Sequence, residues 1–151
     1  MALARVYVSE DKAELVRNLR ASEGSTGPFR TYADVVTFAV ILGFKHARRA
    51  PLESYSRKEP DPVLQEQFRN AFVIGLGAIA DTQDPKILRD DDDESDRRRV
   101  EIFQEYVNGG LEILTTELSG AVDYAEQILL MLKLEKQVGQ TNGEFDLSRF
   151  L

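Results

Sequence analysis

The chain has 151 residues, 26 acidic and 19 basic, for a formal net charge of -7, and it contains no Cys, no Trp and one His. That length predicts one domain or two very small ones. The composition excludes a disulfide framework, a cysteine nucleophile, a Cys-ligated zinc or iron–sulfur site, and any mechanism that needs two histidines. Hydrophobic residues at 42% and charged residues at 30% fit an ordered globular chain. No apolar run approaches the ~20 residues of a bilayer span, and the first residues lack the basic and apolar regions of a signal peptide. The expectation is a soluble, cytoplasmic protein with no membrane partner.

The acidic average hides an asymmetry. Residues 1–58 hold ten basic and six acidic residues, a balance of +4; residues 59–151 hold nine and twenty, a balance of -11. Such a split hints at a polyanion contact on the basic side, although chance clustering on a solvated surface produces the same count.

Along the chain, residues 4–8 alternate, with Ala4, Val6 and Val8 on one side and Arg5 and Tyr7 on the other, which predicts a short strand. Ser9 then caps a helix over residues 10–21, with Glu10 and Asp11 in its first turn and Leu15, Val16 and Leu19 on one stripe. Residues 22–30 read as a loop. Thr31 and Asp34 form a capping-box variant, so a second helix starts at Tyr32 and carries Val35, Val36, Phe38, Ala39, Val40 and Leu42 to a stop at Gly43. Lys45, His46, Arg48 and Arg49 follow that stop.

Residues 50–61 form a Pro-containing connection. Asp61 and Pro62 then predict the start of a third helix running to about residue 81. Gly75 and Gly77 inside it imply close helix packing as compensation for their poor helix propensity. Asp84 and Pro85 open a short turn ending near Leu88. The acidic run at residues 90–94 reads as a loop, and the arginines at 97–99 as the start of a helix over 96–119, which Asn108, Gly109 and Gly110 could kink or split. A last helix covers residues 121–137, and Phe145, Phe150 and Leu151 in the tail are candidates for docking.

The predicted fold is therefore mainly α. A short strand and two helices, in the order of a ribbon–helix–helix unit, occupy residues 1–49. A connection covers 50–61, a bundle of about three helices 62–137, and a tail 138–151; a single compact domain is the alternative division. In a ribbon–helix–helix unit two chains pair their strands in the DNA major groove, and the second helix offers its N-terminus to phosphate. That arrangement requires a homodimer. It makes Arg5 and Tyr7 the groove-facing side chains, puts Arg30 and Thr31 at the phosphate-contacting helix start, and leaves Lys45, Arg48 and Arg49 to add charge against the backbone. The bland alternative is that residues 4–8 simply pack on the helices.

Catalytic signals are absent. There is no phosphate loop, nucleophile elbow or metal-ligand spacing. His46 sits among basic residues with no nearby carboxylate in sequence. Consecutive carboxylates at 90–94 are more often a solvated, self-repelling tract than a Mg²⁺ site. The expectation is no enzyme activity, no cofactor and no bound metal.

The stretch Gly27-Pro28-Phe29-Arg30-Thr31-Tyr32-Ala33-Asp34-Val35, continuing through Phe38-Ala39 to Leu42-Gly43-Phe44, resembles a known family, as does Glu66-Gln67-Phe68 ahead of an apolar helix. The family is DNA phosphorothioation-associated protein 4, found with bacterial Dnd systems. The resemblance implies an accessory or regulatory role beside the enzymes that place sulfur in the DNA backbone, or beside the linked restriction machinery. Other proteins of that system are then partners. Two readings follow: DNA contact by a dimer through the basic N-terminal unit, or a protein–protein adaptor that does not touch DNA.

Overall fold

The computed structural model describes residues 4–68, 72–89 and 91–142. Among them are five α-helices: α1 (Ala13–Leu19), α2 (Tyr32–Lys45), α3 (Phe72–Thr82), α4 (Asp93–Glu117) and α5 (Tyr124–Asn142). Short 3₁₀ turns at Glu10–Lys12, Gln65–Gln67 and Pro85–Leu88 lie between them. The class is mainly helical, as expected. One hydrophobic core runs from Val6 and Val8 through Val16, Val35, Val40 and Phe103 to Ile128 and Met131. The N-terminal 49 residues and the later helices thus share one interior. No described helix is long and apolar enough to cross a membrane.

The strand expected at residues 4–8 is not formed, and no sheet occurs among the described residues. The segment is extended but makes only isolated bridges within its own chain. Val6 exchanges both backbone hydrogen bonds with Val63, each 2.8 Å, and the Val8 carbonyl accepts from the Ser56 N–H at 2.8 Å. On the opposite edge the Tyr7 N–H donates to Gln104 Oε1 at 2.6 Å, and the Ala4 N–H to Asp96 Oδ2 at 2.7 Å. The alternation of Val6 and Val8 reflects burial of one side of a strap, with both residues nearly inaccessible. A ribbon shared between two chains needs backbone groups that here are already bonded to residues 54–63 and to α4.

The same pairing explains why the third helix starts late. Asp61 and Pro62 carry a local start signal, yet Val63 is held extended against Val6 and α3 begins only at Phe72. Local preference is outweighed by a long-range pair that buries both valines. The first helix is also shorter than expected, since residues 10–12 form a 3₁₀ turn ahead of α1.

α2 begins as read: Thr31 is its N-cap, and the Thr31 hydroxyl oxygen accepts from the Asp34 N–H at 3.1 Å. Its end is different. Gly43 lies inside the helix, where an added Cβ would collide with the Tyr106 carbonyl of α4. The stop is supplied by Ala47 at φ 49°. The Arg48 N–H returns to the Gly43 carbonyl at 2.8 Å and the Ala47 N–H to the Phe44 carbonyl at 3.1 Å, which is a Schellman motif with alanine in the left-handed position.

α4 is a continuous helix of 25 residues, so Asn108, Gly109 and Gly110 do not split it. Gly109 meets the Arg48 carbonyl and Gly110 the Ala39 carbonyl. These glycines, with Gly43, let the α2 and α4 backbones approach more closely than side chains allow. The packing reading of Gly77 holds as well, because its missing Cβ makes room for the Phe44 ring. Asp84 caps the Pro85–Leu88 turn through the Lys86 N–H at 3.1 Å, as its sequence predicts. Phe145, Phe150 and Leu151 lie outside the described residues.

Candidate nucleic-acid interface

α2 organises the residues singled out from the sequence. Its 14 residues set its two ends about 20 Å apart. Arg30 and Thr31 sit at the N-terminal end; Lys45, His46, Arg48 and Arg49 sit at or just beyond the C-terminal end. At the N-terminal end Arg30 is exposed, and among the described residues it has no ion pair. The Thr31 hydroxyl oxygen accepts the cap hydrogen bond, and its proton is left to donate.

The C-terminal end is neutralised from within. Lys45 Nζ lies 2.5 Å from Glu135 Oε2, and His46 Nε2 lies 2.8 Å from Glu135 Oε1. Arg48 pairs with Glu112 at 2.8 Å. Arg49 spans two helices, with Nη1 2.9 Å from Asp81 and Nη2 3.0 Å from Glu105. Burial drives the Arg49 guanidinium toward losing its proton, but Glu105 and Asp81 outweigh that and raise its pKa. The Tyr106 hydroxyl donates to Asp81 at 2.8 Å; burial first, then that carboxylate, raises its pKa above the ordinary phenol value. Burial pushes the Glu135 carboxyl up, yet hydrogen bonds from Lys45 and His46 win and hold it below its ordinary value. His46 therefore has a carboxylate partner, 89 residues away in the chain.

Arg5 is exposed on the strap. Tyr7 is half-buried and stacks on Tyr55, with ring centroids 5.3 Å apart and planes at 29°. It faces a neighbouring ring of its own chain, and its backbone N–H is committed to Gln104.

Four further cations cluster away from α2's C-terminal end. Arg17 and Arg20 project from the exposed face of α1 and its C-cap, and Arg17 Nη1 donates to the Glu59 carbonyl at 2.5 Å. The Arg20 guanidinium lies over the Tyr32 ring, 4.6 Å from its centroid. Arg17 is shared by two open clefts: one includes Arg20, Tyr32 and Glu59, the other Arg57 and Lys58. None of Arg17, Arg20, Arg57 and Lys58 has a carboxylate ion pair among the described residues. The spacing of Arg17 and Arg20, three apart on one helix face, is the sequence signal that points to this group.

The acidic run is largely structural. Asp92 caps α4 through the Glu94 N–H at 3.1 Å. A hydrogen bond from the Ser95 hydroxyl, then that N–H, lowers the Asp92 pKa. Residues 93–96 place further carboxylates in the first helical turn, where the dipole favours them. Asp96 is buried with Arg99, which also donates to the Ile87 carbonyl at 2.5 Å and the Arg89 carbonyl at 3.0 Å. No group of three or more His, Asp or Glu side chains able to hold a metal occurs among the described residues.

A family model described as DNA sulphur modification system-associated protein 4 matches residues 5–150. The chain belongs to this family. The match extends from the strap into the tail, well beyond the motif around Thr31 that carries the sequence resemblance. Neither the curated proteins nor the solved structures provide a match. Membership in the DNA sulphur modification system-associated protein 4 family ties the chain to the DNA phosphorothioation (Dnd) system.

Proposed function

We propose that the chain is a non-catalytic adaptor that binds other proteins of the phosphorothioation or linked restriction machinery. The observation that supports this reading is the internal neutralisation of α2's C-terminal end. Lys45, Arg48 and Arg49 gave the sequence much of its basic N-terminal character, and each faces a carboxylate of α3, α4 or α5. Electrostatic attraction to phosphate is the main source of sequence-independent DNA affinity. Here those cations already have internal carboxylate partners. The adaptor reading thereby moves ahead of the DNA-contact reading.

The second reading keeps one specific support, the cluster of Arg17, Arg20, Arg57 and Lys58 beside Tyr32. Pairwise binding of the purified chain to each purified protein of the system, with and without DNA, separates the two. The adaptor reading expects a protein complex that survives removal of DNA. It is overturned by salt-sensitive DNA binding that is lost in Arg17→Ala with Arg20→Ala, together with no protein partner in the absence of DNA.

A further inference from the structure

α5 turns one side to the core, and a run of leucines on its other side is exposed. Ile128 and Met131 are buried, and Glu135 is held by Lys45 and His46. These three positions follow the i, i+3, i+7 spacing of one face. On the remaining surface Leu129, Leu130, Leu132 and Leu134 are 53%, 50%, 44% and 54% exposed. Isolated exposed leucines are ordinary; four within six residues make the outer side of this helix strongly apolar, with Leu129 and Leu130 nearest the middle of the patch.

The charges around the patch are self-complementary. At 100° per residue, Glu126 and Lys133 fall on the meridian opposite the buried face, two turns apart, with Leu129 and Leu130 straddling that meridian between them. Neither Glu126 nor Lys133 has an ion pair among the described residues. This pattern is self-complementary in one direction only. A parallel copy of α5 in register sets Glu126 against Glu126 and Lys133 against Lys133. An antiparallel copy, related by a two-fold axis level with Leu129 and Leu130, sets each Glu126 against the other copy's Lys133 and brings Leu129 and Leu130 of both copies around the axis.

We propose that α5 is a self-association surface and that its occupant is a second copy of this chain, packed antiparallel through Leu129 and Leu130 with reciprocal Glu126–Lys133 pairs. This dimer differs from a strand-ribbon dimer, whose backbone edges are already occupied. It is independent of the adaptor reading, since an adaptor can be a monomer or a dimer.

Sedimentation equilibrium on the full chain tests it, with circular dichroism to confirm folding of each variant. The expected result is a monomer–dimer equilibrium at micromolar concentration. Glu126→Lys is expected to weaken it at least about tenfold by placing like charges in contact, and Glu126→Lys with Lys133→Glu to restore it. Orientation is read by crosslinking, because the chain has no cysteine of its own. A mixture of Glu126→Cys and Lys133→Cys chains is expected to form a mixed disulfide dimer under mild oxidation more readily than either variant alone. A chain that stays monomeric, a dimer unaffected by Leu129→Asp with Leu130→Asp, or preferential crosslinking of Glu126→Cys to itself would overturn the proposal.

Discussion

Replacement of Gly110 by alanine puts the α2–α4 contact to a quantitative test. In an exposed helix interior the change is favourable by about 1 kcal/mol, because alanine loses less backbone entropy than glycine. At Gly110 the added Cβ meets the backbone carbonyl of Ala39, not the tip of a flexible side chain. Overpacking costs about 1–3 kcal/mol, and a backbone obstacle belongs at the upper end, since relief requires the two helices to separate along their length. The net expectation is a loss of about 2 kcal/mol, which for a chain of this length is a fall of roughly 4–8 °C in Tm. Gly75 is the internal control: its nearest obstacle is Leu88 Cδ2 at 3.1 Å, on a side chain that is 37% exposed and free to turn. Gly75→Ala is expected to be neutral or to stabilise by up to about 1 kcal/mol. Urea unfolding followed by circular dichroism gives both values, read from midpoints at constant slope. If Gly110→Ala matches or exceeds the parent protein in stability, the close approach of the two backbones is refuted.

Three other changes probe separate parts of the fold. Gln104→Ala removes the acceptor of the Tyr7 N–H in a buried setting; a loss of about 2 kcal/mol is expected, with faster hydrogen exchange at the Tyr7 amide as the local readout, and unchanged exchange would contradict the contact. Ala47→Gly relieves a left-handed alanine at the end of α2, and a gain of up to about 1 kcal/mol in the urea midpoint is expected after the larger unfolded-state entropy of glycine is subtracted. Glu135 has a folded pKa below its ordinary value of 4.5. A depressed carboxyl stabilises the fold above its unfolded pKa and loses that contribution as pH falls through the folded one. The stability gap between the parent and Glu135→Gln should therefore close as pH falls below about 4.5; a gap that persists into stronger acid would show that the charge of Glu135 is not involved.

What the sequence made legible was mostly local. The cap at Thr31 and the Asp84–Pro85 turn each depend on groups within three or four residues, and each occurs as read; the acidic run, read as a loop, instead caps and opens α4 from Asp93. The glycines divide the cases clearly. Gly77 sits in an apolar helix, where its cost points directly to packing against Phe44, whereas Gly75 carries the same cost and meets only the Leu88 side chain. Gly43 stands before a basic stretch and imitates a helix stop, because nothing nearby in sequence reveals that Tyr106 lies against it. Ala47, the residue that ends α2, carries no stop signal at all. The strap was misread for a related reason: alternation at Val6 and Val8 reports one buried side, and it cannot say whether the bonding partner is a second chain or Val63.

The site depends still more on distance. Arg49 finds Asp81 and Glu105, Arg48 finds Glu112, and Lys45 and His46 find Glu135. A charge count by segment sees a basic block and an acidic block, which is the pattern expected when a chain is built to meet a polyanion. It is equally the pattern of a chain whose two blocks meet each other. The second account is favoured at α2's C-terminal end, where the helix dipole already suits cations and the acids of three helices converge. Exposed pairs of this kind add only about 0–1 kcal/mol each to stability, so their main consequence is competitive. A phosphate approaching this end must displace carboxylates tethered in the same chain, whose effective concentration lies in the millimolar range or above. Displacing Glu135 would also remove a polar tie between α2 and α5. Phosphate contact at Lys45 would therefore be coupled to the docking of α5.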